Sequence, residues 1–346
     1  MIRAAGAIAA AAWLAAAGCT GPGIDASELP EAPIALLWRD AAAARKYAEL
    51  EEARALGPAA SRGRTPGVAD TADIGEFLRY VAGVAPREHS DTETAGRLAL
   101  LDPRSGAVTP LEAALRDAVP ASWAQPGRRL VFSQFDGDLR QLFELDLVAG
   151  EVRQLTRGAR AHARGCFLPD GRLVASAAGV EAPPGAAPRV VSRIVAYRPG
   201  QAEPEPLSAG PEDHSPACAP DGRAIVWVSR GPKGQEELVS RTPVEAAPRP
   251  IGPGRDPSFS PDGAWVAYAS PAGRSFRLFR VRPDGVGRVS LGTSDLEERE
   301  PSFGPDGRLV VYVVHEGYQR RLHVRRLDGS GDRILFADGA AEHPVW

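Results

Sequence analysis

Arg164, His214, Asp256, Glu300 and His343 are the side chains most suited to chemistry, and they follow one another at separations of 50, 42, 44 and 43 residues. Three of them stand at the head of one short pattern: Asp256-Pro-Ser-Phe259, Glu300-Pro-Ser-Phe303 and His343-Pro-Val-Trp346. His214 precedes the same pattern at Ser215-Pro216, Arg164 heads Arg-Gly-Cys-Phe167, and Pro120 heads the corresponding Pro-Ala-Ser-Trp123. If the repeat closes into a ring, these positions converge on one mouth of its central channel. Arg, Asp, Glu and two His gathered there could hold a cation, an anionic ligand or a partner's side chain. By residue type alone, Asp256 with His343 could do acid–base work, although no nucleophile or metal-ligand spacing accompanies them. The plainer alternative is that the same groups only bond neighbouring strand ends and channel water.

The elements that must position these residues are short strands around a recurrent Pro-Asp-Gly. The best copies are Asp256 to Ser270, Glu300 to Val314 and Ser215 to Ser229; a weaker one spans Cys166 to Ser176 and a degenerate one Trp123 to Ser133. The turn prolines at 126, 169, 220, 261 and 305 are 43, 51, 41 and 44 residues apart, and an insertion, Glu181 to Pro188, explains the long gap. In each turn Pro fixes φ, Asp bonds the following backbone and Gly tolerates positive φ. Asp170, Asp221, Asp262 and Asp306 are therefore read as turn residues, since a functional site is not repeated in every unit. Four strands in such a unit make a propeller blade. The first unit lacks its opening strand: Glu76 to Gly83 matches a second strand and Arg97 to Leu111 a third and fourth. Glu342 to Trp346 matches an opening strand and then the sequence stops. The C-terminal strand should thus complete the first blade, hiding two sheet edges and giving six blades. The fold class expected is all-β, a six-bladed β-propeller over 74–346, preceded by a short helical segment.

The pattern Pro-x-Phe-Ser-Pro-Asp-Gly followed by an apolar strand resembles the WD-like repeat of TolB-type β-propellers. The resemblance covers roughly 74–346 and implies an envelope propeller that binds other proteins. Only a short stretch precedes the propeller, where TolB carries a sizeable α/β domain, so the resemblance does not extend to the Tol-Pal role. Related propellers also accompany the catalytic domain of prolyl oligopeptidase-like peptidases, but with the last repeat running to Trp346 and no Gly-x-Ser-x-Gly elbow, that form of catalysis is not expected here.

Ahead of the repeats, Met1-Ile2-Arg3 and the apolar run Ala4 to Ala17 read as an export signal, too short to span a bilayer comfortably. Ala16-Ala17-Gly18-Cys19 resembles a bacterial lipobox, which implies cleavage before Cys19 and its lipidation. Thr20 after the Cys, rather than Asp, resembles the signal for transfer to the outer membrane, so the chain is expected there, facing the periplasm. The expected organisation is signal peptide 1–18, tether 19–33, helix 34–57 with Leu36, Leu37, Tyr47 and Leu50 on one face, linker 58–73, then the propeller. Cys166 and Cys218 fall on neighbouring strands but are offset by one position, so they are expected to face opposite ways as two buried free thiols.

A formal net charge of -3, with Arg interleaved among acids, gives no case for nucleic acid. No cofactor or metal site is indicated. The expectation is a monomeric, non-enzymatic lipoprotein, a scaffold for an envelope protein partner and held at the membrane by its lipid. The alternative is a propeller that binds a glycan, peptidoglycan fragment or peptide at the channel mouth, with a hydrolase or lyase as a third option.

Overall fold

The computed structural model describes residues 23–55 and 94–346, apart from loop positions 113, 114, 116, 183, 186–188, 200, 202, 232, 233, 243, 245, 293 and 294. Cys19, the signal, the linker 58–73 and the stretch Glu76 to Gly83 lie outside the described residues. More than half of the described residues are in strands, and nearly all of their pairings are antiparallel. The first elements are β1 (Ile34–Arg39), α1 (Ala41–Ala55), β2 (Arg97–Leu101) and β3 (Val108–Pro110). The second unit is β4 (Val119–Gln125), β5 (Arg129–Asp136), β6 (Leu139–Asp146) and β7 (Glu151–Gln154). The third is β8 (Ala161–Phe167), β9 (Leu173–Glu181), β10 (Arg189–Tyr197) and β11 (Glu205–Pro206). The fourth is β12 (Asp213–Cys218), β13 (Ile225–Arg230), β14 (Glu236–Arg241) and β15 (Arg249–Pro253). The fifth is β16 (Arg255–Phe259), β17 (Val266–Ala272), β18 (Ser275–Val281) and β19 (Val289–Ser290). Last come β20 (Glu297–Phe303), β21 (Leu309–Glu316), β22 (Gln319–Arg326), β23 (Asp332–Phe336) and β24 (Ala340–Val345).

These strands form a propeller-like arrangement of sheets. Four sheets have four strands each, and an eight-stranded sheet runs β20-β21-β22-β24-β1-β2-β3 with β23 on β22. Within that sheet, β22 and β24 meet through the single parallel pair Arg320↔Ala340. Divided at that pair, the sheet yields the units β20–β23 and β24-β1-β2-β3. The C-terminal strand does open the first unit, pairing antiparallel with β1 from Ala35↔Val345 to Arg39↔Ala340.

The second strand of that unit is not where the sequence placed it. Ile34–Arg39 is a strand paired to both β24 and β2, and the helix begins only at Ala41. A helix over 34–57 is thus corrected to a strand plus a shorter helix, and the sheet begins at residue 34 rather than 74. The local composition favours helix, but tertiary burial overrides it. Ile34, Leu36 and Ala35 are fully buried, and alternate residues pack to opposite sides: Ile34 and Leu36 with Val311 and Val313, Ala35 with Leu130 and Phe132. Residues 24–33 are likewise docked rather than free as a tether. Ile24 and Leu29 are buried in the core, Arg326 pairs with Glu28 at 2.8 Å, and Arg104 donates to the Leu29 carbonyl.

Every unit buries both faces against its neighbours, which follows from strands that are apolar at successive positions. In β21, Val311 and Val313 face the first unit while Val310, Tyr312 and Val314 face Ala267 and Leu278 of the fifth. The turn aspartates behave as their repetition implies. Asp170, Asp221, Asp262 and Asp306 each accept from the backbone N–H two residues on, at 2.9–3.0 Å.

Cys166 and Cys218 form a disulfide with Cα atoms 5.8 Å apart, so the expectation of two free thiols is corrected. The parity argument failed because β8 and β12 belong to adjacent sheets. Side chains on facing sides of two neighbouring sheets point toward one another, so an offset of one position brings them together.

Candidate functional site

The six inner strands β4, β8, β12, β16, β20 and β24 enclose one cavity of about 410 Å³. Equivalent repeat positions line it in layers: Arg164, Ser215, Asp256, Glu300 and His343 at one level, and Trp123, Phe259, Phe303 and Trp346 further along. The turn prolines Pro126, Pro220, Pro261 and Pro305 complete the far end.

A backbone feature absent from the sequence reading sets the charged layer. Ser215, Asp256, Glu300 and His343 all have positive φ, between 50° and 55°, and each is followed by proline. Left-handed backbone costs a non-glycine residue about 1–2 kcal/mol. The local ladder accommodates it: pairing to the next strand slips between His214 and Ala217, between Arg255 and Ser258, and between Arg299 and Ser302. These are β-bulges, which bend a strand and re-aim one side chain. The slip recurs between His162 and Gly165 and between Pro120 and Ser122, where no left-handed residue accompanies it.

Three of the expected residues meet directly. Arg164 donates to the Pro120 carbonyl at 3.0 Å, and its other terminal nitrogen lies 2.6 Å from His343 Nδ1. The same Nδ1 is 2.9 Å from Glu300 Oε1, while the His343 backbone N–H donates to Glu300 Oε2 at 2.6 Å. Nδ1 can accept from Arg164 or, carrying a proton, donate to Glu300, but it cannot do both at once. Burial opposes ionisation of Glu300, yet His343 and Arg164 outweigh it and hold the carboxyl well below the usual range. Burial pushes the Arg164 guanidinium down, with Glu300 and Asp256 opposing. Asp256 lines the same cavity, its carboxylate 3.7 Å from Arg255 Nε.

His214 is not part of this group. Its Nε2 lies 3.5 Å from Glu236 Oε1, and Nδ1 faces Ser215 Oγ at 3.0 Å. Glu236 gathers Arg230 at 2.9 Å and Arg255 at 3.4 Å as well. Burial works against its charge, but the His214 bond, Arg255 and Arg230 bring its carboxyl down to about 2. Glu236, Arg230 and the cavity aromatics were missed as site residues. The aromatics carried a usable signal, because Phe259 and Phe303 hold one fixed phase of the repeat, two residues before the turn proline. Glu236 carried none, lying outside any repeated pattern. Among the described residues no three His, Cys, Asp or Glu side chains are grouped to hold a metal ion. No described helix is long and apolar enough to cross a membrane.

The ring of sheets and its lined channel place the chain among proteins with the β-propeller fold. It is similar in structure to TolB from Acinetobacter baumannii, with TM-score 0.59 and 18% identity over 72% of this chain and 62% of that one. A putative TolB from Agrobacterium tumefaciens gives TM-score 0.56 and 18% identity over 70% of this chain and 89% of that one. Hydrazine synthase from Kuenenia stuttgartiensis gives 0.57 and 13% identity over 72% and 43%. The chain thus spans under two thirds of the Acinetobacter protein. No family model matches it, and no curated protein matches its sequence.

Proposed function

We propose that this is a non-enzymatic lipoprotein of the bacterial envelope, anchored through Cys19, whose propeller is a scaffold for a protein partner. The observation that carries the reading is the central cavity. Four aromatic side chains, Trp123, Phe259, Phe303 and Trp346, wall it above a layer holding Arg164, Asp256, Glu300 and His343. Apolar walls with a few fixed charges suit an inserted side chain or chain segment, and the rigid ring limits the ordering cost of binding. Cross-linking and pull-down from envelope fractions, with wild type beside Asp256→Asn and Trp123→Ala, tests it. One specific partner, lost with those variants, is the expected result. Recovery of no specific partner, alongside saturable binding of a glycan or peptidoglycan fragment, overturns it. That outcome would establish the second reading, which the size of the cavity favours: about 410 Å³ lies within the small-molecule range. The anchor is tested by fatty-acid labelling, which should vanish in Cys19→Ser.

A further inference from the structure

A second cluster lies away from the channel, on the turn face of the fifth unit. Ala267 pairs with Arg280 and Val266 with Val281, which sets Trp265 opposite Arg282 and on the same face as Arg280. The Arg280 guanidinium stacks over the Trp265 ring at 4.4 Å, and that of Arg282 lies 5.6 Å from the same ring. Among the described residues, no carboxylate lies within salt-bridge distance of either one. Their neighbours are otherwise matched: Arg277 with Asp295 at 2.7 Å, Arg299 with Glu297 at 2.7 Å, and Arg288 donating to Tyr268 Oη at 2.9 Å. Arg280 Nε is buried without a hydrogen-bond partner.

The site is held in place by a tight turn. Arg282 N–H donates to the Val286 carbonyl at 3.0 Å, and Gly285 N–H to the Arg282 carbonyl at 2.8 Å. Asp284, the acid that lines the groove with Arg282, accepts from the Val286 backbone N–H at 3.0 Å, and Asp262 accepts from that of Ala264 at 3.0 Å, so both acids beside the two guanidinium groups are engaged in their own turns. A groove of about 340 Å³ opens here, walled by Ala264 and Pro283 with Thr242 at its side. Val286 and Val289 next to it are 59% and 43% exposed.

We propose that this groove docks an acidic segment of a protein partner, a carboxylate taking the two guanidinium groups while an aliphatic neighbour covers Val286 and Val289. Arginine seated over an aromatic ring presents its planar fork to a carboxylate with little ordering cost. Tryptophan and arginine also dominate the energetics of protein interfaces. The inference rests on the scaffold reading but concerns a different surface from the channel.

The test pans a random peptide library on the full chain at low salt and measures the enriched peptides by fluorescence anisotropy. Enrichment of acidic sequences is expected, with affinity falling about tenfold or more in Arg280→Gln/Arg282→Gln and in high salt. Arg282→Gln alone, on an exposed side chain, should lose part of the affinity, and thermal melts of both variants verify folding. Acidic binders unaffected by either variant overturn the inference, as do binders without acidic residues. Binding of anionic lipid vesicles that the double variant abolishes, with no peptide enriched, also overturns it and makes this a membrane face. Peptides that instead depend on Trp123 and Asp256 defeat this site while leaving the scaffold reading intact.

Discussion

Replacing Trp346 by Ala tests how the ring is closed. Trp346 is 9% exposed and packs in the cluster shared by the first and sixth units. Its indole N–H donates to the Ala32 carbonyl at 2.9 Å and its backbone N–H to Ser302 Oγ at 3.0 Å. One residue earlier, the Val345 carbonyl accepts from the Trp123 indole of the second unit at 3.2 Å. The C-terminal strand is therefore stitched to both of its neighbouring units. Truncating a buried Trp to Ala costs about 3–5 kcal/mol, and the Ala32 carbonyl losing its donor falls within that range. For a domain of this size each kcal/mol lowers Tm by about 2 °C, so a drop of about 8 °C is expected. Urea unfolding followed by far-UV circular dichroism gives the free energy, with Val148→Ala as a control. Val148 is 80% exposed, and its truncation should stay within about 0.5 kcal/mol of wild type. Removing Glu342 to Trp346 should cost more, because it strips the inner edge of β1. If Trp346→Ala loses less than about 1 kcal/mol, the terminal strand does not close the ring as argued.

Three further outcomes follow from other parts of the molecule. His162 is buried, bonded to Gln141 at 3.0 Å and Tyr197 at 2.7 Å, and burial lowers its pKa to about 4. The unfolded chain, with an ordinary His near 6.5, then binds the extra proton first. Stability should fall by about 3 kcal/mol as pH drops from 6.5 to 4, and His162→Gln should flatten urea midpoints across that window. Cys166 and Cys218 close a loop with a sequence separation of 52, worth about 4 kcal/mol in the chain-entropy account. The Cys166→Ser/Cys218→Ser variant should melt lower by several degrees, and reduction should then leave its melt unchanged; a variant that melts like oxidised wild type would refute the cross-link. Gly339 has φ of 120°, and an added Cβ would lie 2.3 Å from the Arg39 carbonyl oxygen. Gly339→Ala should cost about 2–5 kcal/mol in urea unfolding, since backbone rather than a flexible side chain stands in the way.

The sequence made the repeat legible because its turn chemistry is local. Pro-Asp-Gly demands the same residues wherever it occurs, and the aromatic two positions earlier keeps the phase. That phase was enough to send Glu342 to Trp346 to the first unit. What escaped detection was whatever depended on distant partners. Ile34–Arg39 reads as the start of a helix because Ala41–Ala55 continues it without a break in composition. Its strand partners are Arg97–Leu101 and the C-terminal strand, so no local window contains them. The disulfide escaped for a geometric reason, since the face rule for one sheet inverts between two facing sheets. His214 stands one residue before the channel position held by Ser215 and meets Glu236 on β14 instead, and nothing in the repeat marks Glu236.

The charged layer separates what the repeat fixes from what it leaves open. Ser215, Asp256, Glu300 and His343 share φ to within 5°, precede proline, and line one cavity. The backbone therefore offers the same socket four times, filled by a hydroxyl, two carboxylates and an imidazole. A socket built by a bulge and a following proline does not depend on the side chain it carries, because the strain is borne by the backbone ladder. Selection acting on those four side chains can thus change the chemistry of the cavity while leaving the ring unaltered. The turn aspartates show the opposite case. Asp170, Asp221, Asp262 and Asp306 each satisfy a backbone N–H, so replacing one removes a structural bond as well as a charge. Identity of residue at equivalent positions marks the architecture of this protein. Divergence upon an identical backbone marks the proposed recognition site, which lies only a few residues before those turns.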